Sequence, residues 1–331
     1  MRAAIVGCGG IAQVHKAVLT GMEGVQVVAL CDIIPQRAEA MNIPGAAIYS
    51  DFGEMLEQAD FDVLHICTPH YLHTPEALAA AEKGKAIFCE KPPVITWEQW
   101  AQFRSLAGKT PVGVCLQNRY NPETRALMEL LASGKAGKLR GGRAFVTWCR
   151  NAPYYTESGW RGELDTEGGG VLINQSVHTL DLLLRCVGRP QAVEAGIANH
   201  HLKGVIQVED TMEAYLQSGD VASVFYATNS YCADSPILVE IACENVTARI
   251  EQGKLTCFWA DGREELVETA AEAETLGKSY WGASHEACIR DFYASVREGR
   301  PFQNDIPGIT DTVETMLALY QSGREHRVVE L

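Results

Sequence analysis

The chain has no apolar run near the about 18 residues a membrane helix needs. It has no C-x-x-C pair among its 11 cysteines, no internal repeat and no low-complexity tract. It is also short of positive charge: 28 Lys and Arg face 42 Asp and Glu, a formal charge of −14. Each shortage narrows the function. Without a long apolar run, no membrane partner is expected. A net acidic chain lacks the positive field that phosphate-binding surfaces need, so no nucleic-acid partner is expected either. The first five cysteines, Cys8, Cys31, Cys67, Cys89 and Cys115, fall at or just after the ends of apolar strand-like runs. Such scattered thiols read as small, reduced, buried side chains rather than a disulfide framework or zinc site. No catalytic metal is expected. The start, Met1 to Gly7, has too short an apolar stretch for a signal peptide, so the cytoplasm is the expected compartment.

What is present is length for two domains in 331 residues. To about residue 117 strand and helix signals alternate: Ala3–Val6, Ile11–Thr20, Val25–Cys31, Pro35–Met41, Val63–Cys67, Pro75–Lys83, Ala86–Cys89, a helix capped by Thr96 with Gln99 as in a capping box, and Val112–Leu116. That alternation predicts a doubly wound parallel sheet. The rhythm then changes. Gly142–Cys149 reads as a strand and Val171–Val187 as one long helix after three glycines. Strands follow over Glu213–Gln217, Ala222–Ala227, Leu238–Ala242, Val246–Ile250 and Leu255–Trp259, then helices near His285–Glu298 and Thr310–Ser322. The expected architecture is α/β, an N-terminal Rossmann domain over 1–118. It is followed by an α+β domain over 119–331 with a large, mainly antiparallel sheet for substrate binding and oligomerisation.

Gly7-Cys8-Gly9-Gly10-Ile11-Ala12 follows a strand and opens a helix. The first glycine suits a tight turn, the second admits a pyrophosphate, and the small third position lets helix and strand pack. Asp32 closes the second strand, where a carboxylate accepts from ribose hydroxyls and repels a 2′-phosphate. NAD is therefore expected, with NADP disfavoured, held by Gly7, Gly9, Gly10, Ile11, Asp32 and Ile33. Ligands of such sheets bind beyond the carboxyl ends of the strands. That points to Thr68-Pro69-His70, His73, Glu90-Lys91 and Gln117 as further cofactor contacts.

At Glu90-Lys91-Pro92-Pro93 the chain resembles the Gfo/Idh/MocA oxidoreductases, which include glucose–fructose oxidoreductase and inositol 2-dehydrogenase. The likeness covers essentially the whole chain. It takes in the glycine loop, Cys67-Thr68-Pro69-His70-Tyr71-Leu72-His73, Trp160-Arg161-Gly162 and Gly168 to Asp181. The resemblance implies hydride exchange between a nicotinamide and a secondary alcohol or ketone of a sugar-like substrate. Lys91 then looks like the lysine beside the nicotinamide and the substrate hydroxyl, and His178 like the histidine that transfers the hydroxyl proton. Asn174 stands where many members carry an aspartate.

The chemistry of these residue types agrees. Asn174 and His178 are four apart, on one helix face. A histidine, with an ordinary pKa of about 6.5, suits removal of a hydroxyl proton. A lysine ammonium stabilises a developing alkoxide, or moves the proton itself where its pKa is depressed, so His178 or Lys91 is the expected acid/base. Asn174 exchanges no proton near neutrality and is left to orient substrate. Read alone, His178 is a core histidine on an apolar helix; its setting turns that reading toward function. Trp160 and Arg161 read equally as cover for nicotinamide or substrate and as a structural cation–π stack. Arg119, Tyr120 and Tyr154 are expected on the substrate side. His285 reads first as a surface histidine, with entry into the pocket as the alternative. His200-His201, taken as strand neighbours, point to opposite faces and make no metal pair. Unevenly alternating strands from Glu213 to Trp259 lead us to expect a homodimer or homotetramer. Two other activities fit the same residues: an NAD-dependent glycosidase with no net redox change, and a non-catalytic NAD(H)- or sugar-binding sensor.

Overall fold

A computed structural model of the chain describes residues 1–269 and 284–331. Among these, one compact unit comprises 1–117 and 284–310, the other 118–269 and 311–331.

The first unit is built on strands β1 (Arg2–Val6), β2 (Gln26–Cys31), β3 (Ala47–Tyr49), β4 (Val63–Ile66), β5 (Ala86–Cys89) and β6 (Val112–Val114). All pair in parallel, in the order β3-β2-β1-β4-β5-β6. Central strands β4 and β5 are buried at every residue, as a sheet covered on both faces requires. Helices α1 (Gly10–Thr20), α2 (Pro35–Ala40), α3 (Phe52–Gln58), α4 (His70–Glu82) and α5 (Trp97–Arg104) connect the strands. The order reverses between β1 and β4, so the loops after those two strands flank the switch point where ligands bind.

Two local readings change. The helix expected to start at Pro75 starts at His70, with Pro75 inside it. Proline has no N–H for the carbonyl of Tyr71; Gln99 Nε2 donates to that oxygen instead, at 3.2 Å. Thr96 does cap α5, its Oγ1 accepting from Gln99 N at 3.1 Å. Short β3 and α3 carried too little periodicity to be recognised.

The helix His285–Glu298 packs in the first unit, although everything after residue 118 reads from sequence as a single domain. Gly113 explains its seat. A Cβ there would lie 2.6 Å from Phe292 and 2.8 Å from Phe302. Phe292 and Phe302 instead fill that space and meet Phe88 of β5 at 5.2 and 6.5 Å between ring centres.

The second unit holds α6 (Pro122–Ala132), β7 (Leu139–Thr147), α7 (Ala152–Thr156), α8 (Leu164–Glu167) and α9 (Val177–Val187). Its later strands are β8 (Ala192–Ala198), β9 (Thr211–Ser218), β10 (Val221–Thr228), β11 (Leu238–Cys243), β12 (Val246–Glu251), β13 (Lys254–Trp259), β14 (Glu264–Val267) and β15 (Val329–Glu330). The strands form one nine-stranded sheet, β14-β13-β12-β11-β7-β10-β9-β8-β15. Every pairing is antiparallel except β7 with β10, so the sheet is mixed. Helix α9 covers one face at Gly142, where a Cβ would meet Leu183 at 2.9 Å and Val187 at 3.0 Å. The single long helix expected from Val171 is instead a π-helical turn, Val171–Ser176, followed by α9. Ser176 Oγ donates back to the carbonyl of Val171 at 2.9 Å. Among the described residues, no helix is long and apolar enough to cross a membrane.

Candidate active site

The glycine loop forms for steric reasons that can be read atom by atom. Gly7 has φ +80°, and a Cβ on it would stand 2.6 Å from the backbone of Cys67 and Thr68. Only glycine lets the turn after β1 pass the end of β4. A Cβ on Gly9 would meet nothing within 4 Å, so the backbone there is open to a ligand. The first turn of α1 has no side-chain cap and no acidic residue, which leaves its N–H groups to an anion. Asp32 is buried. Its Oδ2 accepts from Cys8 N at 2.8 Å and its Oδ1 from Ile34 N at 2.9 Å. The carboxylate thus clamps the loop and keeps lone pairs for hydroxyl donors. Ile33 beside it is 85% exposed, an apolar surface suited to a flat ring. These groups fit a dinucleotide.

The loops after β4 and β5 are tied together by buried polar contacts. Thr68 Oγ1 donates to Glu76 Oε2 at 2.6 Å, while burial pushes Glu76 up to about 8. His73 is buried with one ring nitrogen 2.6 Å from the carbonyl of Pro92 and the other 2.8 Å from that of Thr68. Burial draws its pKa down against those two carbonyls. His73, expected at the cofactor, is thereby engaged in joining the Thr68 and Lys91-Pro92 loops. Pro69 immediately precedes α4 and His70 opens it, buried. Lys91 is half-buried and precedes a cis proline.

Behind Lys91 lies a polar chain that sequence reasoning missed. Glu90 Oε1 meets His15 Nε2 at 2.9 Å, His15 Nδ1 meets His65 Nδ1 at 2.8 Å, and His65 Nε2 meets Tyr293 OH at 2.9 Å. Burial raises the Glu90 pKa, but the His15 hydrogen bond and the charges of His15, His285 and Lys91 outweigh it. The carboxyl stays well below its usual range. His285, read as a surface residue, is thus buried near Glu90. Among the described residues, His15, Glu90 and Cys115 form the group whose spacing could hold a metal. Both imidazole nitrogens of His15 already engage His65 and Glu90. Burial pushes the Cys8 and Cys31 thiols up to about 12; all eleven cysteines are free. Gln117 ends this stretch, buried, with Cys115 Sγ 3.7 Å from its Oε1.

In the second unit, residues 167–184 are buried with two exceptions, Asn174 and His178. The shared face inferred from their spacing is therefore the one face of this segment that reaches solvent. Asn174 Nδ2 donates to Glu167 Oε1 at 2.5 Å, and Tyr154 OH lies 3.5 Å away. Tyr154 OH also accepts from Gln175 Nε2 at 3.0 Å. Asn229 Nδ2 donates to Gln175 Oε1 and to Tyr155 OH, both at 3.0 Å. The Arg161 guanidinium lies over the rings of Tyr154 and Trp160, 4.6 and 4.9 Å from their centres. The stack is present, and Tyr154, Trp160, Arg161 and Asn174 gather around it.

Two expected substrate residues are buried in the second unit. Arg119 is buried, its Nε donating to Asp181 Oδ2 at 2.8 Å, and Asp181 Oδ1 also accepts from Thr312 at 2.6 Å. Burial raises the Asp181 pKa and Arg119 more than reverses it. This pair braces α9. Tyr120 is buried, with Arg125 over its ring at 5.3 Å. His200 and His201 lie in a bend after β8 rather than in a strand, and both backbone N–H groups donate to Asp210. Glu167, Gln175 and Asn229 were missed; the one available signal was an acid directly before the glycine run.

A six-stranded parallel sheet with a glycine turn at its switch point and an acid closing its second strand defines a dinucleotide-binding α/β unit. Residues 1–117 match the model described as "Oxidoreductase family, NAD-binding Rossmann fold", and residues 124–249 match the GFO/IDH/MocA C-terminal domain. The chain belongs to the Gfo/Idh/MocA family, and its first unit is an NAD-binding Rossmann domain. Trans-1,2-dihydrobenzene-1,2-diol dehydrogenase of Mus musculus is 30% identical over 299 residues, 85% of this chain and 82% of that protein. The chain spans about half the length of other curated relatives: D-glucoside 3-dehydrogenase of Escherichia coli (strain K12) is 29% identical over 57% of this chain and 55% of that protein. Among solved structures, the WlbA dehydrogenase from Bordetella pertussis, in complex with NADH and UDP-GlcNAcA, superposes with a TM-score of 0.87. It is 25% identical, with 100% of this chain and 98% of that one covered.

Proposed function

We propose that the protein is an NAD(H)-dependent dehydrogenase or ketoreductase acting on a secondary hydroxyl or ketone of a sugar, sugar derivative or cyclitol. The observation that carries this reading is the partial exposure of Asn174 and His178 alone in the otherwise buried segment 167–184. A core helix has no packing reason to leave a histidine and an amide on one open face. Names of relatives point the same way, among them D-glucoside 3-dehydrogenase and inositol 2-dehydrogenase.

Gly9, the first turn of α1 and Asp32 would hold the pyrophosphate and ribose of NAD, and Ile33 would offer its exposed side chain to the adenine. The nicotinamide, when bound, accepts the hydride of a carbinol carbon. His178 takes the hydroxyl proton, Lys91 stabilises the developing alkoxide and Asn174 orients the hydroxyl. We expect Lys91→Ala and His178→Ala to bind NADH normally, by fluorescence titration, yet to lose about 10²- to 10⁴-fold in turnover of a polyol found by NADH-coupled screening. Unchanged turnover in both variants would remove the assignment.

Self-association through the open face of the second sheet belongs to the same reading. Tyr215 of β9 and Val224 of β10 are cross-strand partners, 45% and 49% exposed, a poor resting state for neighbouring apolar side chains. Sedimentation at micromolar concentration should show a dimer or tetramer, and a monomer alone would contradict it. A reducing, cytoplasmic setting accords with the free and mostly buried cysteines.

A further inference from the structure

The glycine run ahead of Asn174 is crowded by two side chains from elsewhere in the second unit. A Cβ on Gly169 would lie 2.1 Å from the hydroxyl of Tyr320, and one on Gly170 would lie 1.8 Å from the carbonyl oxygen of Glu209. Glu209 stands just before β9, and Tyr320 lies on the late helix Ile306–Glu325. Both are buried.

What they supply is hydrogen bonding. Three consecutive N–H groups go to Glu209. Gly170 N donates to Oε2 at 2.8 Å, Val171 N to the main-chain carbonyl at 3.1 Å, and Leu172 N to Oε1 at 3.1 Å. The fourth, Ile173 N, donates to Tyr320 OH at 3.1 Å, and that hydroxyl donates on to Glu209 Oε1 at 2.8 Å. The next N–H is that of Asn174, which donates to the carbonyl of Gly170 at 3.1 Å. Burial raises the Glu209 pKa, and the donors Leu172, Gly170 and Tyr320 pull it back.

A helix leaves its first four N–H groups without partners of its own. Here the first turn is π-helical, a rare winding, and it carries no side-chain cap from its own N-terminus. Glu209 and Tyr320 take up all four groups instead. Asn174 is the first residue behind this clamp, whereas His178 stands a turn further on, inside α9. We propose that Glu209 and Tyr320 are positioning residues for Asn174: they hold the first turn closed, so that the Asn174 amide keeps its aim at the substrate hydroxyl. This rests on the proposed alcohol or ketone chemistry. It also closes this helix start to an anionic substrate group, because the N–H groups that would bind one are already taken.

The test reads the turn directly. In full-length protein labelled with ¹⁵N-asparagine, the Asn174 backbone N–H is assigned by its loss in Asn174→Ala, and its hydrogen exchange is timed. Two variants are compared with the wild type: Tyr320→Phe, which removes one hydroxyl, and Glu209→Gln, which keeps the shape and gives up the charge. Exchange at Asn174 should quicken about tenfold in either variant, the worth of one hydrogen bond. The Asn245 N–H, bonded to the carbonyl of Ala136 in the same unit, should keep its rate. Unchanged exchange at Asn174 in both variants overturns the proposal. So does equal quickening at Asn245, the sign of a unit loosened as a whole. If a polyol is oxidised, Tyr320→Phe should lower kcat about tenfold with the KM for NAD unchanged. In the Asn174→Ala background it should cause no further loss; losses that multiply would show Tyr320 acting by a route other than Asn174 and overturn the assignment. Absence of any turnover, with exchange at Asn174 still quickened, would overturn the proposed function and leave the clamp in place.

Discussion

Glu90 and Glu167 are both buried glutamates, one in each unit, and their carboxyls are driven in opposite directions. Burial pushes both up. Glu90 faces His15 directly and has His285 and Lys91 nearby, and it ends well below the usual range. Glu167 accepts from the amides of Gly162 and Asn174, and burial carries it up to about 7. Neutral donors soften the desolvation of a carboxylate, whereas a partner that can carry charge reverses it. The first unit therefore fixes its carboxylate permanently, and the second keeps one that changes state near neutrality.

The largest test removes the partner that makes the difference. His15→Leu leaves Glu90 buried without its imidazole and should cost about 3–5 kcal/mol at neutral pH by denaturant unfolding. The sign with pH follows from linkage. In the wild type the folded pKa of Glu90 is depressed, so its stabilisation is present above the unfolded value of about 4.3 and fades as pH falls. In His15→Leu burial is opposed only by the charges of His285 and Lys91, so the loss of stability toward acid pH should be smaller than in the wild type. A variant whose acid limb matches the wild type would erase the contrast between the two glutamates.

The next test works on the other carboxyl. Glu167 has a raised folded pKa, so its contribution is complete below about pH 4.3 and is lost as pH rises toward its folded value. With 4.5 moved to about 7, that loss is on the order of 3 kcal/mol. Glu167→Gln, which does not titrate, should therefore gain on the wild type between pH 5 and pH 8. Parallel stability curves for the two proteins would place Glu167 with Glu90. The smallest effect sharpens the comparison. Arg161→Gln removes a cation that helps the ionised form, so the Glu167 midpoint should move upward, with a stability change below about 1 kcal/mol. A downward shift would mean that Arg161 acts on Glu167 through packing rather than charge.

Sequence reasoning went furthest where partners are close along the chain. Gly7, Gly9 and Asp32 were legible because turn, close approach and strand end fall within one βαβ unit. The shared face of Asn174 and His178 followed from their four-residue spacing, whereas the reading of His178 as a functional residue came from the resemblance and the glycine run before it. What escaped depended on distant pairing. Arg119 meets Asp181 across 62 positions and His15 meets Glu90 across 75, so neither Arg119's bracing of α9 nor the histidine chain shows in a local pattern. Pro75 misplaced the start of α4 because the group that serves the Tyr71 carbonyl lies 28 residues on. The π-helical turn at Val171–Ser176 leaves no mark on apolar spacing, since every residue in it but one is buried. The late helix at His285 has an amphipathic face that would suit either sheet, and the fit of Phe292 over Gly113 is visible only in three dimensions.

That sealed segment also bears on how this protein can change its preferences. Of the residues from 167 to 184, all but Asn174 and His178 are locked in packing. Substitution at the others disturbs the core before it touches a ligand. One of the two open positions carries the proposed chemistry. Laboratory selection for new substrates on this scaffold should therefore collect its changes at position 174 and on the Tyr154–Arg161 loop, and leave the helix itself untouched.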